Sequence, residues 1–511
     1  MENASRTIVL GVDAMDKDLV LEWAQAGVLP TFRGLLERGA WAITAAPPGL
    51  YVGAIWPSFS TGVSPGRHGR FSPVQLRTGT YDFYDFRPQD IKAEPFWIIL
   101  SRRGRRVTII DVPKTCTSPD VNGIQLVDWA THDPDLGFST WPTSLASEIT
   151  ARFGRGRDAS VSPGGSWCNI TRRTAADYAE LRDGLLASVA RKAALTRYFL
   201  EKNEWDLLIS VFTESHCVGH QAWHLHDPSH PRHDPEMAGA VGNPIQQVYV
   251  AIDAAVGQLL QQVGPETTVF VFASHGMGPH YDGTLMLNEI LRRLEKGRPL
   301  TARPGVARVL GWARSWPPLG VRNLLRPVKK AVRTAVAAVP AIKEDITTRR
   351  SFRVLSSDAC AGIRINVAGR EPHGRVRPGP EYDALCEALS RDLLALVNVA
   401  TGRPAVRRVL KTRQLYQGTC VDDLPDLLVE WSREAPISAL DSPKTGIVRR
   451  TYGGIRTGDH KPEGLLIATG PSVPAGRLDG PIPVMDIAPT IAASLGVSLT
   501  EAEGVRIAAL S

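Results

Sequence analysis

Cysteine is scarce. The 511 residues carry six, Cys116, Cys168, Cys217, Cys360, Cys386 and Cys420, and no two stand as CxxC. Thiols scattered this widely read as free buried side chains and speak against a disulfide framework. Long apolar runs are missing as well. No window reaches the roughly 18–20 apolar residues that a membrane-spanning helix needs. The opening MENASRTIVLGVDAMD lacks a basic stretch followed by an apolar core, so no secretory leader is expected and a cytoplasmic location is the default. Internal repeats and low-complexity tracts are absent. Charge of one sign is in only small excess: the net charge is +7, which favours anionic partners such as phosphates or nucleotides but does not establish nucleic-acid binding.

What is present is an ordinary globular composition, 43% hydrophobic and 22% charged, in a chain too long for one simple core. Residues 7–12, TIVLGV, form an apolar run ending in Asp13, as a buried strand delivering a carboxylate would. Helical signals cover 17–38 with an interruption at Pro30, then 173–203 and 245–262. Further apolar runs occupy 106–112, 206–212 (leading to Thr213, Glu214, Ser215 and His216) and 267–273 (leading to Ser274 and His275). Strands alternating with helices predict an α/β fold with a mostly parallel central sheet and helices on both faces. In such sheets ligands gather at the C-terminal strand ends, where Asp13, His216 and His275 all fall.

The alternation sets domain boundaries. Residues 1–300 form the first part of the α/β core, 301–350 a basic helical insertion, 351–450 a small α+β subdomain, and 451–511 a return to the core. The insertion holds many Arg and Lys residues with Trp312 and Trp316. It reads as a solvated flank, or as a lid or membrane-surface contact near an anionic substrate.

Four constellations can carry chemistry. His216 and His220 stand four apart, on one helical face, with His224 beyond; one turn can thus offer two imidazoles to an ion, although such pairs also arise by chance. Ser274-His275-Gly-Met-Gly-Pro follows a buried strand and suits close ligand approach or a plain turn. Gly458-Asp-His460-Lys-Pro-Glu-Gly464 is a polar loop before an apolar strand. Residues 56–69, WPSFSTGVSPGRHG, offer hydroxyls at Ser58, Ser60 and Thr61 as nucleophiles or as helix caps.

Taken in order, GVDAMD (11–16), WPSFSTGVSPGRHG (56–69), VFTESHCVGHQAWH (211–224), ASHGMGP (273–279), INVAGREPHGRV (365–376), DLPDLLVEW (423–431) and GDHKPEGLLIATGP (458–471) resemble the type I phosphodiesterase/nucleotide pyrophosphatase family of the alkaline phosphatase superfamily. The resemblance implies a two-cation phosphoryl-transfer site, with Asp13 and His275 matching one position and His220 and His460 the other. Three positions depart from the pattern. The nucleophile position, four residues before Trp56, is Val52; the aspartate before His275 is Ser274; and the aspartate four before His220 is His216.

The expected metal ligands are therefore Asp13, His216, His220, His275 and His460, with Ser274 a weak addition. Three imidazoles, His216, His220 and His460, make an open catalytic zinc arrangement; manganese is the alternative, and one or two ions are expected. The predicted activity is hydrolysis of a phosphoester or phosphodiester in a small anionic, nucleotide-like substrate by metal-activated water. Tyr51 is a weak candidate for substitute nucleophile or oxyanion donor. His280 and Asp282 read as surface loop residues in preference to replacement ligands. The alternatives are a degenerate binder of phosphorylated ligands, and a sulfate or phosphonate ester hydrolase or phosphoryl transferase of the same superfamily.

Overall fold

The computed structural model describes residues 6–156, 172, 174–202, 204–296, 346–357 and 359–510. Most of the basic insertion, residues 301–345, and with it the expected membrane-surface contact, lies outside the described residues, as does Cys168. The five described cysteines are free thiols. Among the described residues no helix is long and apolar enough to cross a membrane.

The strands that position the site are β1 (Thr7–Val12), β2 (Ala40–Ala45), β3 (Val107–Ile110), β4 (Gly123–Val127), β5 (Ser139–Trp141), β6 (Leu207–Phe212), β7 (Thr268–Ala273), β8 (Gly276–Pro279), β9 (Gly458–Lys461) and β10 (Glu463–Thr469). The helices needed below are α1 (Tyr51–Thr61), α2 (Ala175–Lys202) and α3 (Glu214–His226). A ten-stranded sheet runs in the order Gly476–Arg477, β2, β10, β7, β1, β6, β3, β4, β5, with Ile482–Pro483 also beside β2. β7, β1, β6, β3 and β4 are mutually parallel, whereas β10 is antiparallel to both β7 and β2.

Every residue of β1 is buried, because both sheet faces are covered. Val9 packs into one core with α1 and the helices Phe96–Arg102 and Ile487–Ser494, while Ile8, Leu10 and Val12 pack into another with α2 and α3. This is the alternation that a strand's period of two imposes. In α2, Leu181, Leu185 and Val189 recur every four residues and form its buried stripe. The helical signal of 17–38 resolves into two helices, Lys17–Gln25 and Pro30–Arg38, with Pro30 at the first helical position, where its missing N–H costs nothing.

A second, four-stranded antiparallel sheet joins Ser351–Val354, Cys360–Ile365, Leu427–Trp431 and Val406–Lys411, and the helix Pro380–Leu394 shares its own core. Buried Asp426 ties this unit together: it accepts two hydrogen bonds from Arg370 (2.8 and 2.7 Å), one from the Ile365 amide (2.7 Å) and one from the Tyr382 hydroxyl (2.9 Å). Burial alone would raise its pKa, but the Arg370 hydrogen bonds and charge outweigh it and hold the carboxyl below its ordinary value. The stabilisation is therefore full above the ordinary carboxylate range and is lost as pH falls through the lower folded value. Acid titration of wild type against Asp426→Asn is expected to show a smaller loss of stability on acidification in the variant; parallel curves would contradict this.

Candidate metal centre

Asp13 is the first residue beyond β1, and its backbone N–H bonds the Phe212 carbonyl at 2.8 Å, so the sheet edge fixes its position. Its Oδ1 accepts from Trp56 Nε1 at 2.8 Å and from Ser274 Oγ at 3.0 Å. Trp56 lies on α1 and Ser274 directly after β7, so a helix and a neighbouring strand aim one carboxylate. Burial lifts the Asp13 pKa to about 6, against hydrogen bonds from Trp56 and Ser274 and the charge of Lys114. A carboxyl so situated gains from any nearby cation.

The Ser274 hydroxyl donates to Asp13, so its lone pairs are left to accept from the Ala14 amide (3.3 Å) and from His275 Nδ1 (2.8 Å). That sets the hydrogen of His275 on Nδ1 and leaves an unprotonated Nε2, which is buried with no hydrogen-bond partner. Burial lowers the His275 pKa to about 3.

α3 begins immediately after β6 and carries His216 and His220 on one face. Ser215 Oγ donates to the Asp13 carbonyl at 2.6 Å, fastening the first turn to the end of β1. β9 pairs antiparallel with β8, with Met277 opposite His460, so the ribbon that follows His275 also carries His460. Arg433 bonds the carbonyls of His460, Asp459 (2.9 Å) and Pro279 (3.1 Å), clamping the two strands.

Ligand-capable atoms of His216, His220 and His460 lie within 4.8 Å of one another, and all three residues are buried. His220 Nε2 and His460 Nε2 are 3.1 Å apart, close to the roughly 3.3 Å between two nitrogens of a tetrahedral ion with bonds of about 2.0–2.1 Å. His220 Nδ1 lies 2.7 Å from the Gly458 carbonyl and so carries the hydrogen, leaving Nε2 as the free base. Burial is the largest influence on all three imidazoles and, with the positive charge of Arg456 and neighbouring histidines, holds their pKa values well below the ordinary value. Neutral, oriented imidazole is the ligand form. His460 Nδ1 is a further buried nitrogen with no hydrogen-bond partner. This donor set fits a divalent cation.

All five expected ligands thus meet at one sheet edge: His275 stands 4.3 Å, ring to ring, from His460, and its Nδ1 is 3.8 Å from Asp13 Oδ1. Ser274 is engaged by hydrogen bonds to Asp13 and His275. His224, one turn beyond His220, points elsewhere, its Nδ1 3.1 Å from Thr457 Oγ1.

Tyr51 opens α1 and is 3% exposed. Burial pushes its phenol well above the ordinary value, so it is a hydrogen-bond donor at neutral pH and no anionic nucleophile. Val52 is half-buried against the core beside it. Among the hydroxyls of 56–69, Ser58 Oγ is 3.0 Å from His68 Nε2. His68 Nδ1 accepts the Arg70 amide (3.1 Å), so the hydrogen sits on Nε2 and His68 donates to Ser58; it cannot serve as its base. Ser60 and Thr61 bond back to the Pro57 carbonyl.

His280, expected on a surface loop, is buried instead, and Asp282 is half-buried with its carboxylate turned inward. Their side chains are 2% and 6% exposed and pair at 3.3 Å, with Tyr452 covering the His280 ring at 4.1 Å. The sequence reading also passed over His132, whose Nδ1 is 3.3 Å from Asp13 Oδ2. A signal was available: His132 follows β4, one more parallel strand end.

The approach of backbone at Gly458 yields a test. A Cβ there would stand 2.2 Å from the Gly219 carbonyl oxygen, which lies on α3 between His216 and His220. Gly458→Ala is expected to separate β9 from α3 and weaken metal retention at least 10-fold, measured by competition with a chelator. Unchanged retention would contradict the fit.

A family model described as type I phosphodiesterase / nucleotide pyrophosphatase matches residues 7–444; His460 lies beyond the match and joins the set by geometry. Among solved structures, phosphonoacetate hydrolase from Sinorhizobium meliloti 1021 in complex with phosphonoformate superposes with a TM-score of 0.52 at 13% identity, covering 97% of this chain and 96% of that one. The same enzyme with phosphonoacetate gives 0.50 at 14%, with the same coverage. Murine ectonucleotide pyrophosphatase / phosphodiesterase 5 gives 0.48 at 12%, covering 98% and 97%. The two superpositions on phosphonoacetate hydrolase concern the fold alone, which is alkaline phosphatase-like. No curated protein matches the chain.

Proposed function

Since the chain belongs to the type I phosphodiesterase/nucleotide pyrophosphatase family, we propose that it is a divalent-metal-dependent hydrolase of phosphoester or phosphodiester bonds in a small anionic, nucleotide-like substrate. The observation that carries this reading is the convergence of His216, His220 and His460. The cation is zinc, with manganese the alternative, and the enzyme acts in the cytoplasm. A cation held there supplies a water of lowered pKa and neutralises charge developing on the phosphoryl group.

The chain's own residues do the remaining work. The Gly458 carbonyl holds the His220 tautomer. Ser274 and Trp56 hold Asp13, and Ser274 holds the tautomer of His275. Arg456, whose charge reaches all three imidazoles, attracts an anionic substrate. Val52 offers no nucleophile, which supports direct attack by water.

The direct test is bis-p-nitrophenyl phosphate with metal-free protein and with zinc or manganese restored. Metal-dependent release of p-nitrophenol is expected. Phosphonate and sulfate esters in parallel separate the neighbouring chemistries. No turnover with any metal, coupled to thermal stabilisation by the ester, would mark a binding protein instead. Rapid mixing is expected to show linear product release from the first turnover; a stoichiometric burst would mean a covalent intermediate and overturn the water mechanism.

A further inference from the structure

His460 stands on the least self-sufficient element of the site. β8 and β9 form a separate two-stranded sheet, GMGP against GDHK. Glycine and proline are poor strand formers, and Pro279 has no N–H to give. A two-stranded ribbon is marginal by itself, so the place of the His460 ring has to be set from outside the ribbon.

The α+β subdomain supplies the hold. Strand Leu427–Trp431 lies inside its four-stranded sheet, and the chain at the end of that strand grips the ribbon twice. Trp431 Nε1 donates to Thr284 Oγ1 at 2.8 Å, and the indole packs so closely on the loop leaving β8 that a Cβ on Gly283 would come within 2.7 Å of it. Two residues on, Arg433 donates from Nη1 to the His460 carbonyl and from Nη2 to those of Asp459 (2.9 Å) and Pro279 (3.1 Å). Pro279 ends β8, whereas Asp459 and His460 lie in β9, so one guanidinium spans both strands. Among the described residues its hydrogen bonds all go to these backbone carbonyls. A planar fork of N–H donors suits that task, and an ammonium, which is a point charge, does not. The same guanidinium bears on Tyr51 at the start of α1, so a third element meets there.

We propose that Arg433 is a positioning residue of the metal centre: through the ribbon carbonyls it makes the α+β subdomain fix where the His460 imidazole stands relative to His220. The core carries all three imidazoles, and the subdomain keeps the third in place. The inference rests on the three-imidazole reading, since it concerns how His460 reaches the shared ion.

Zinc affinity with chemical rescue tests this apart from turnover. The metal-free whole chain is titrated with zinc against a chromogenic chelator, with folding checked by circular dichroism. Arg433→Ala is expected to weaken zinc binding about 10–100-fold, the usual cost of removing a group that orients a ligand. Guanidinium ion at a non-denaturing concentration refills the fork and is expected to restore most of that loss. Methylammonium, of equal charge but without the fork, is expected not to. Arg433→Lys keeps the charge and a long side chain; it should remain weakened, and is the variant to read should the alanine variant not fold. Tyr416→Phe cuts the subdomain's bond to the Pro48 carbonyl without touching the ribbon, and its affinity should stay within a few-fold of wild type. Wild-type affinity in the Arg433 variants, a loss that guanidinium does not relieve, or an equal loss in Tyr416→Phe would overturn the inference while leaving the three-imidazole reading intact. No zinc binding by wild type would overturn both.

Discussion

Replacing His220 with alanine is expected to lower kcat/KM for a phosphodiester by at least about 10³-fold, because most of the charge stabilisation and water activation at such a site comes from the ion. His220 holds the centre of the trio: its Nε2 faces His460 Nε2 at 3.1 Å and its Nδ1 is anchored on the Gly458 carbonyl at 2.7 Å. The variant leaves two imidazoles and a buried carbonyl without its donor, a loss of about 1–3 kcal/mol in stability. His224→Ala is the matched control. It lies on the same helix and is also buried, yet it is bonded to Thr457, so turnover should stay within a few-fold of wild type. Equal losses in the two variants would mean that the helix, and not the ion, is what His220 supports.

The second large effect concerns stability. Lys192 and Asp111 form an ion pair with both side chains fully buried, and Asp111 also receives two amides from the segment that leads to His132. Lys192→Met strands a carboxylate in the interior. The expected cost is about 3–5 kcal/mol, the range for removing one partner of a buried pair, read by urea denaturation. The Lys192→Met/Asp111→Asn double variant should recover part of that loss, since the uncompensated charge is gone and the asparagine oxygen can still accept an amide. A loss below about 1 kcal/mol in the single variant would mean that the pair contributes little.

The parallel sheet was legible because β1, β6 and β7 are continuous apolar runs with abrupt polar ends, and a strand buried on both faces has no other sequence signature. The same logic located Asp13, His216 and His275. His460 came from the family-like motif at 458–471, since a short polar β-ribbon such as β9 has no periodicity to read. His132 escaped because β4, GIQLV, is only partly apolar and the following WATHDPD looks like any solvated turn; what makes it different is Asp111, at the end of the neighbouring strand, holding its backbone. Burial of His280 was equally hidden, because the groups around its ring, Tyr452 and Asp459, come from much later in the chain. Trp56 read as part of a signature, while its task, orienting Asp13, is visible only once α1 is seen against the end of β1.

The central claim is that one cation is bound jointly by His216, His220 and His460. An anomalous difference map from a zinc-loaded crystal, collected on either side of the zinc absorption edge, tests it most directly. The account predicts a peak about 2.0–2.1 Å from one nitrogen of each of these three rings. Full zinc loading with no density between them, or a peak that engages fewer than three of these imidazoles, would contradict it.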